Sequence, residues 1–290
     1  MKPKILAIVG PTASGKTTLA LELAKRFHGE LISVDSRQVY RGMDIGTAKT
    51  KDAQWGIDLV DPDHQYSVAD HKTYVTNKTH EILNRGHLPI FVGGTGLWLR
   101  AIIDDLDLTN TARDPVMREQ LEARALDDLF QEYQALDPEG AQMIDAQNKR
   151  RVVRALEVTK RTGKPWSQQQ TKGASPFDVL QIGLLVPRQE LNERINKRVD
   201  EMIQNGLVEE VRFLGDRYGC DVESMTGIGY RQLCRFLSGE QNLEEVIEDI
   251  KKDTRDYAKR QMTWFKRDPR IVWVADVAEA EKKVQDFIQL

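Results

Sequence analysis

Eight residues from Gly10 to Thr17, GPTASGKT, constrain this chain more than any other stretch. They fit G-x-x-x-x-G-K-[ST] in full and follow an apolar run, Ile5 to Val9, that reads as a buried parallel strand. A helical pattern from Lys16 to His28 comes next. Leu19, Ala20, Leu23, Ala24 and Phe27 share one face, and Gly29 can end it. A glycine turn between strand and helix points backbone N–H groups at one spot, where the helix dipole also favours an anion. Gly10, Pro11, Thr12, Ala13, Ser14 and Gly15 are therefore expected to cradle phosphate. Lys16 supplies positive charge, and the Thr17 hydroxyl can ligate Mg2+. The loop does not specify the phosphate compound; ATP or GTP is the default.

The remaining pattern is α/β. Leu31 to Val34 reads as a second strand, and Ser67 to Gly86 as a helix with Ser67 and Asp70 at capping-box spacing. His87 to Val92 is a third strand. From Asp114 to Thr171 only helical patterns occur: Leu121, Ala125 and Leu129 mark one helix, and Val152, Ala155, Leu156 and Thr159 another. Lys172 to Pro176 reads as a hinge, and Val179 to Val186 returns the chain to the sheet. Leu191, Ile195, Val199 and Met202 mark a helix stopped by Gly206. Asn242 with Glu245 caps a long helix reaching Phe265, and a strand, Ile271 to Val274, precedes a terminal helix. The predicted fold is a P-loop parallel sheet flanked by helices, built from residues 1–112 and 178–290. An all-helical insertion spans residues 113–177.

Composition excludes several classes. No run of eighteen apolar residues suggests a membrane helix, and Gly10 and Pro11 break the apolar start before it could serve as a signal sequence. A cytoplasmic, soluble protein is expected. Cys220 and Cys234 are too few for a disulfide framework or a zinc site, and the five histidines lack ligand spacing. The net charge of −3 conceals an asymmetry. Residues 100–146 carry a net −8, residues 147–172 a net +7 and residues 249–270 a net +4. The two basic stretches would attract a polyanion, although solvated helix faces are the commoner meaning of such runs.

Asp35, at the end of the second strand, lies where open α/β sheets bind ligands; a turn or cap role is the bland alternative. The third strand ends in LPIFVGGTG, with glycines where many P-loop nucleotidases carry a metal-binding aspartate. That weakens the ATP default.

The segment DSRQVYRGMDIGTAK, from Asp35 to Lys49, resembles the tRNA dimethylallyltransferases. So do GPTASGKT, YSVAD at Tyr66 to Asp70, GGTGL at Gly93 to Leu97 and RRVVRALEV at Arg150 to Val158. ERINKRVDEMI at Glu193 to Ile203, GIGYRQ at Gly227 to Gln232 and RQMTWF at Arg260 to Phe265 complete the set. The P-loop is shared by many families; the ordered combination is specific. The resemblance implies transfer of a dimethylallyl group from its diphosphate to the exocyclic amine of the adenosine 3′ to the anticodon. The loop would then hold dimethylallyl diphosphate rather than ATP.

By the same resemblance, Lys16, Thr17 and Mg2+ steady the departing diphosphate, Arg194 and Arg198 add guanidinium contacts, and Asp35 is the general base. Thr12 and Thr95 match positions near the donor and the reacting base. Ser36, Arg37 and Gln38 match the stretch that touches tRNA beside that base. Arg118, Arg150, Arg151, Val152, Val153 and Arg154, together with Ile228, Gly229, Tyr230, Arg231 and Gln232, match tRNA-contacting positions. The partner implied is the tRNA anticodon stem-loop, and a monomer is expected. The sequence departs from the family pattern at Gln54-Trp55-Gly56, His71 and Trp98. Rival readings are a small-molecule kinase, an adenylate prenyltransferase and a non-catalytic RNA-binding module; none of them accounts for the whole set of motifs.

Overall fold

An unbroken apolar strand must be covered on both faces, and β1 (Lys4–Val9) is: Ile5 to Val9 are all buried. It pairs in parallel with β4 (Leu88–Gly93) on one side and β5 (Asp178–Leu184) on the other. β2 (Gly29–Ser33), β3 (Gln54–Trp55) and β6 (Ile271–Val274) extend the sheet in the order β3-β2-β4-β1-β5-β6, every pair parallel. The structure is a computed structural model and describes residues 2–50, 52–108, 114–169 and 173–289.

Strand alternation sorts the core into two layers. Leu6 and Ile8 pack toward Leu19, Ala20 and Leu23 of α1 (Lys16–Phe27) and toward Ala280 and Val284 of α12 (Val277–Gln289). Ile5, Ala7 and Val9 face Val75 and Ile82 of α2 (Val68–Asn84), Leu99 and Ile102 of α3 (Gly96–Ile103), and Phe265 at the end of α11 (Leu243–Phe265). The capping box forms as read: Ser67 Oγ accepts from Asp70 N–H at 3.2 Å, and Asp70 Oδ2 accepts from Ser67 N–H at 2.9 Å. The chain leaves β1 toward β2 on one side, then crosses after β4 to β5 on the other. The crevice at that reversal is where an open α/β sheet binds ligands.

Three more helices complete this unit: α8 (Arg188–Gln204), α9 (Leu207–Tyr218) and α10 (Tyr230–Leu237). They enclose a second apolar cluster with Val39, Met43 and Trp98. The sequence pattern did not distinguish α3, α9, α10 or the two-residue edge strand β3. Gly206 does more than stop α8: at φ 98° it is also the N-cap of α9. The two cysteines are joined in one disulfide, Cα atoms 6.0 Å apart, linking the segment after α9 to α10.

The chain divides into two compact units, residues 1–103 with 176–290, and residues 104–175. The second unit closes at its base where Gly173 N–H donates to Asp105 O at 3.3 Å. The expected boundary at 112/113, and Thr171 and Lys172 of the expected helix end and hinge, lie outside the described residues. This unit holds α4 (Pro115–Glu122), α5 (Leu126–Leu136), α6 (Pro138–Met143) and α7 (Lys149–Thr162). Leu121, Ala125 and Leu129 do not form one helix as the spacing suggested. Ala125 has extended backbone and is the N-cap of α5, which separates it from α4.

The core of this unit is Leu121, Leu129, Tyr133, Val152, Val153, Ala155 and Leu156. Within it Glu157 is fully buried, accepting from Asp114 N–H at 2.7 Å, Arg118 Nη2 at 2.6 Å and Arg154 Nη1 at 2.8 Å. Burial pushes its carboxyl up, but these donors prevail and hold its pKa below the usual carboxylate range. Glu157→Ala is expected to destabilise this unit by about 3 kcal/mol, because it removes a buried carboxylate that two partly buried guanidinium groups and the Asp114 N–H share. Denaturant melts of the wild type and the variant followed by far-ultraviolet circular dichroism measure this. The stabilisation from Glu157 should be intact above its ordinary pKa of 4.5 and fade as pH falls through the depressed one.

Candidate active site

The phosphate loop folds as its glycines require. Gly15 is left-handed at φ 91° and caps α1 without a side-chain cap, leaving the first-turn amides directed outward. Ala13 also has positive φ, 61°, a conformation that costs a residue with a Cβ but forms a nest of converging N–H groups. Ser14 Oγ is buried without a hydrogen-bond partner among the described residues, and a Cβ on Gly10 would lie 2.9 Å from it.

Two cations and one carboxylate converge here. Lys16 Nζ donates to Pro11 O at 3.2 Å. Desolvation and the nearby positive charge of Arg198 lower its pKa to about 8, with Asp35 opposing. Arg198, on α8, is itself pushed down by burial and supported by Asp35. Arg194, one turn earlier, donates to Ser14 O at 3.5 Å and pairs with Glu190. It is half exposed and reaches the loop backbone. Asp35 follows β2, and its Oδ1 accepts Arg37 N–H at 2.9 Å, fixing the turn.

The residues after Asp35 are held by long-range bonds. Ser36 N–H donates to Thr95 Oγ1 at 3.3 Å. Arg37 Nη1 donates to Glu223 O and Ser224 O at 2.9 and 3.0 Å, and Nη2 to Thr226 Oγ1 at 3.2 Å. Its guanidinium thus ties the Asp35 turn to the segment ahead of α10. Gln38 Nε2 donates to Thr47 O at 3.2 Å.

Several side chains matched to tRNA-contact positions face inward instead. Val152 and Val153 lie in the helical core, 0% and 1% exposed, because they share the apolar stripe of α7. Tyr230 is buried, with its hydroxyl donating to Glu210 at 2.6 Å. Gln232 is buried too, capping Gly229 N–H at 2.8 Å and donating to Asp253 at 2.8 Å. These four side chains pack beneath the surface. Arg118 and Arg154 hold Glu157. Arg150 and Arg151 are exposed, Ile228 is half-buried, Gly229 is buried, and Arg231 reaches solvent while paired with Asp253.

Three side chains of α11 that no motif had marked for a role reach this site: Tyr257, Gln261 and Trp264. Gln261 Oε1 accepts Thr12 N–H at 2.9 Å, and its Nε2 donates to Gly94 O at 2.8 Å. Tyr257 hydrogen-bonds Thr95, and burial with the nearby Asp35 raises its pKa to about 12. A Cβ on Gly94 would collide with Gln261 Nε2, and one on Gly96 with Trp264. The signal for two of them was the RQMTWF segment; nothing in it told which loop the helix would meet.

Among the described residues no group of three His, Cys, Asp or Glu side chains could hold a metal ion, and no helix is long and apolar enough to cross a membrane. A divalent cation at this loop would take the Thr17 hydroxyl and complete its shell with phosphate oxygens and water, the usual habit of Mg2+.

The chain is similar to known proteins along almost all of its length. A family model described as IPP transferase matches residues 38–268, and one described as isopentenyl transferase matches residues 3–56. A tRNA dimethylallyltransferase of Halalkalibacterium halodurans is 43% identical, covering 99% of this chain and 96% of its own length. One of Bacillus subtilis is 43% identical over 94% of this chain and 90% of its own. Among solved structures, a full-length tRNA isopentenylpyrophosphate transferase from Bacillus halodurans superposes with TM-score 0.74 at 41% identity, covering 99% and 96% of the two chains. A eukaryotic dimethylallyltransferase acting on tRNA gives TM-score 0.82 at 29% identity, covering 99% of this chain and 80% of its own.

With Lys16 near pKa 8, inorganic diphosphate should draw a proton into the site when it binds at pH 8 to 9. Affinity should fall as pH rises through that range. Calorimetry in two buffers of different ionisation enthalpy measures the uptake; Lys16→Arg, which stays charged, should lack the protein's share of it.

Proposed function

The chain belongs to the tRNA dimethylallyltransferase family, and on that premise we propose how its site works. It transfers a dimethylallyl group to the exocyclic amine of the adenosine 3′-adjacent to the anticodon in tRNA and releases diphosphate. The donor in this reading is dimethylallyl diphosphate. The observation that carries it is the meeting of an anion nest, two crowded cations and a carboxylate at one crevice of the sheet.

The leaving diphosphate gathers negative charge as the carbon–oxygen bond stretches. Burial disfavours the charge on both Lys16 and Arg198, and Arg198 further disfavours that on Lys16, so an anion between them relieves this tension. The loop amides and Arg194 add donors at the same place. Mg2+, held through Thr17, supplies further charge neutralisation when bound, and the enzyme is magnesium-dependent in this reading.

The attacking amine is a weak nucleophile because its lone pair is delocalised into the ring. Asp35 takes the proton that the amine must lose, and its Oδ1 bond to Arg37 N–H keeps the carboxylate aimed. The target base enters unstacked, as single-stranded RNA is usually read. Arg150 and Arg151 meet the RNA backbone, while Arg118 and Arg154 act through Glu157 to keep α7 in place. The protein works as a single chain in the cytoplasm, where its tRNA is. No observation favours an ATP-dependent kinase.

Purified protein given radiolabelled dimethylallyl diphosphate, Mg2+ and unmodified tRNA should label the tRNA, and should not label AMP. ATP hydrolysis without labelling would overturn the reading. Asp35→Ala should lower turnover by about 10²-fold or more while leaving tRNA affinity nearly unchanged. Replacing Arg150 and Arg151 together with alanine should reduce the slope of log affinity against log salt by about two, one for each lost phosphate contact. Sparing Arg154 keeps the Glu157 cluster intact.

A further inference from the structure

The crevice has two walls that come from separate loops. The phosphate loop follows β1; the GGTG loop follows β4 and reaches Ser36 through Thr95. Nothing in the sheet fixes the gap between these loops beyond their last paired residues, Val9 and Gly93. A single side chain from a third, distant element spans it. Gln261 accepts the Thr12 N–H of one loop at 2.9 Å and donates to the Gly94 O of the other at 2.8 Å. Gln261 is 6% exposed; its bond to Gly94 O is buried, and its bond to Thr12 N–H lies at the half-buried edge of the crevice.

The surrounding residues are shaped to admit this amide. Gly94 has no Cβ where Gln261 Nε2 sits, and Gly10 O is 3.5 Å from the Cβ position of Gly94. Tyr257 lies four residues earlier on the same helical face and bonds Thr95, which accepts Ser36 N–H beside Asp35. Trp264, three residues later, fills the space beside Gly96. One stripe of α11 therefore touches the donor loop at Thr12 and the acceptor loop at Gly94, Thr95 and Gly96.

We propose that Gln261 is a positioning residue that sets the distance between the diphosphate-holding loop and the base-holding loop, with Tyr257 fixing the acceptor side. The inference rests on the prenyl-transfer reading above. An amide is the group the site needs, since one neighbour is a donor and the other an acceptor. Glutamate would offer two acceptors to them, and methionine neither a comparable acceptor nor a donor.

The chemistry gives this role a distinct readout. As the carbon–oxygen bond of the donor breaks, the bonding pair leaves with diphosphate and the allylic carbon becomes electron-poor. In register, the adenosine amine donates its pair to that carbon and Asp35 takes the proton. Out of register, water donates its pair instead and loses a proton to solvent, giving dimethylallyl alcohol and diphosphate. Loss of register thus appears as diphosphate released without prenyl transfer.

The experiment compares the wild type with Gln261→Glu, Gln261→Met and Tyr257→Phe, measuring diphosphate release, prenyl-tRNA formation, and the separate affinities for dimethylallyl diphosphate and tRNA. Both Gln261 variants should lose about 10- to 100-fold in kcat, the scale of a roughly 1 Å misplacement of reactants. Each substrate's affinity should stay within about threefold. The ratio of diphosphate released to prenyl groups transferred should rise above the wild-type value. Tyr257→Phe, which keeps its ring packing, should raise that ratio less. A wild-type ratio and kcat in the Gln261 variants would overturn the proposal, as would a rate loss matched by an equal loss of donor affinity. If a Gln261 variant does not fold, the Tyr257→Phe ratio decides, and an unchanged ratio overturns the proposal. Failure of the wild type to label tRNA at all would instead overturn the functional reading.

Discussion

Two positive charges are held close together in a partly dehydrated crevice, and much of the site follows from that tension. Lys16 and Arg198 each lose hydration, and Arg198 further disfavours the charge on Lys16. Asp35, and for Lys16 the Pro11 carbonyl, offset this in part. A diphosphate would reverse the balance, converting mutual repulsion into shared attraction. The helix dipole of α1, the left-handed turns at Ala13 and Gly15, and the position of α8 all act in the same direction. In the proposed reaction such a site would hold the leaving diphosphate best when its charge is greatest, which is the condition for accelerating its departure.

The acceptor side is organised by hydrogen bonds rather than by charge. Asp35 is aimed by the backbone of Arg37, and Arg37 is anchored on carbonyls ahead of α10. Glu210 accepts the N–H groups of Asp44, Ile45 and Gly46 and the hydroxyl of Tyr230, tying the same long loop to α9 and α10. These bonds make a rigid frame from a segment with almost no regular secondary structure. In the proposed mechanism that frame would serve Asp35, because a general base must lie within hydrogen-bond reach of the proton it takes.

The helical unit uses its charges in two ways. Arg118 and Arg154 are spent on the buried Glu157 and belong to its architecture, whereas Arg150 and Arg151 face solvent on the first turn of α7. The strongly basic segment is therefore less cationic toward a partner than its composition suggests. Burial of Val152 and Val153 follows the same logic: in a helix, neighbours in sequence point to different sides, so a contiguous motif cannot present every residue to RNA.

Much of the architecture was legible in local chemistry. Gly10 to Thr17 implied its own fold, because glycine spacing and a following helix leave little choice of backbone. Ser67 and Asp70 marked a helix start, apolar runs marked the strands β1, β2, β4, β5 and β6, and the run of helical patterns marked a separate unit. Helix breaks without glycine or proline signals, such as the one at Ala125, did not show, since Ala125 itself favours helix and only packing separates α4 from α5. The edge strand β3 escaped because two residues carry no periodicity. Tertiary structure alone decided which side of the motifs faces a ligand and what spans the crevice. Gln261 lies 249 residues from Thr12 and 167 from Gly94. An amide reads as an ordinary polar residue in a helix until folding brings a donor and an acceptor to its two ends, and that juxtaposition is set by how α11 packs on the sheet.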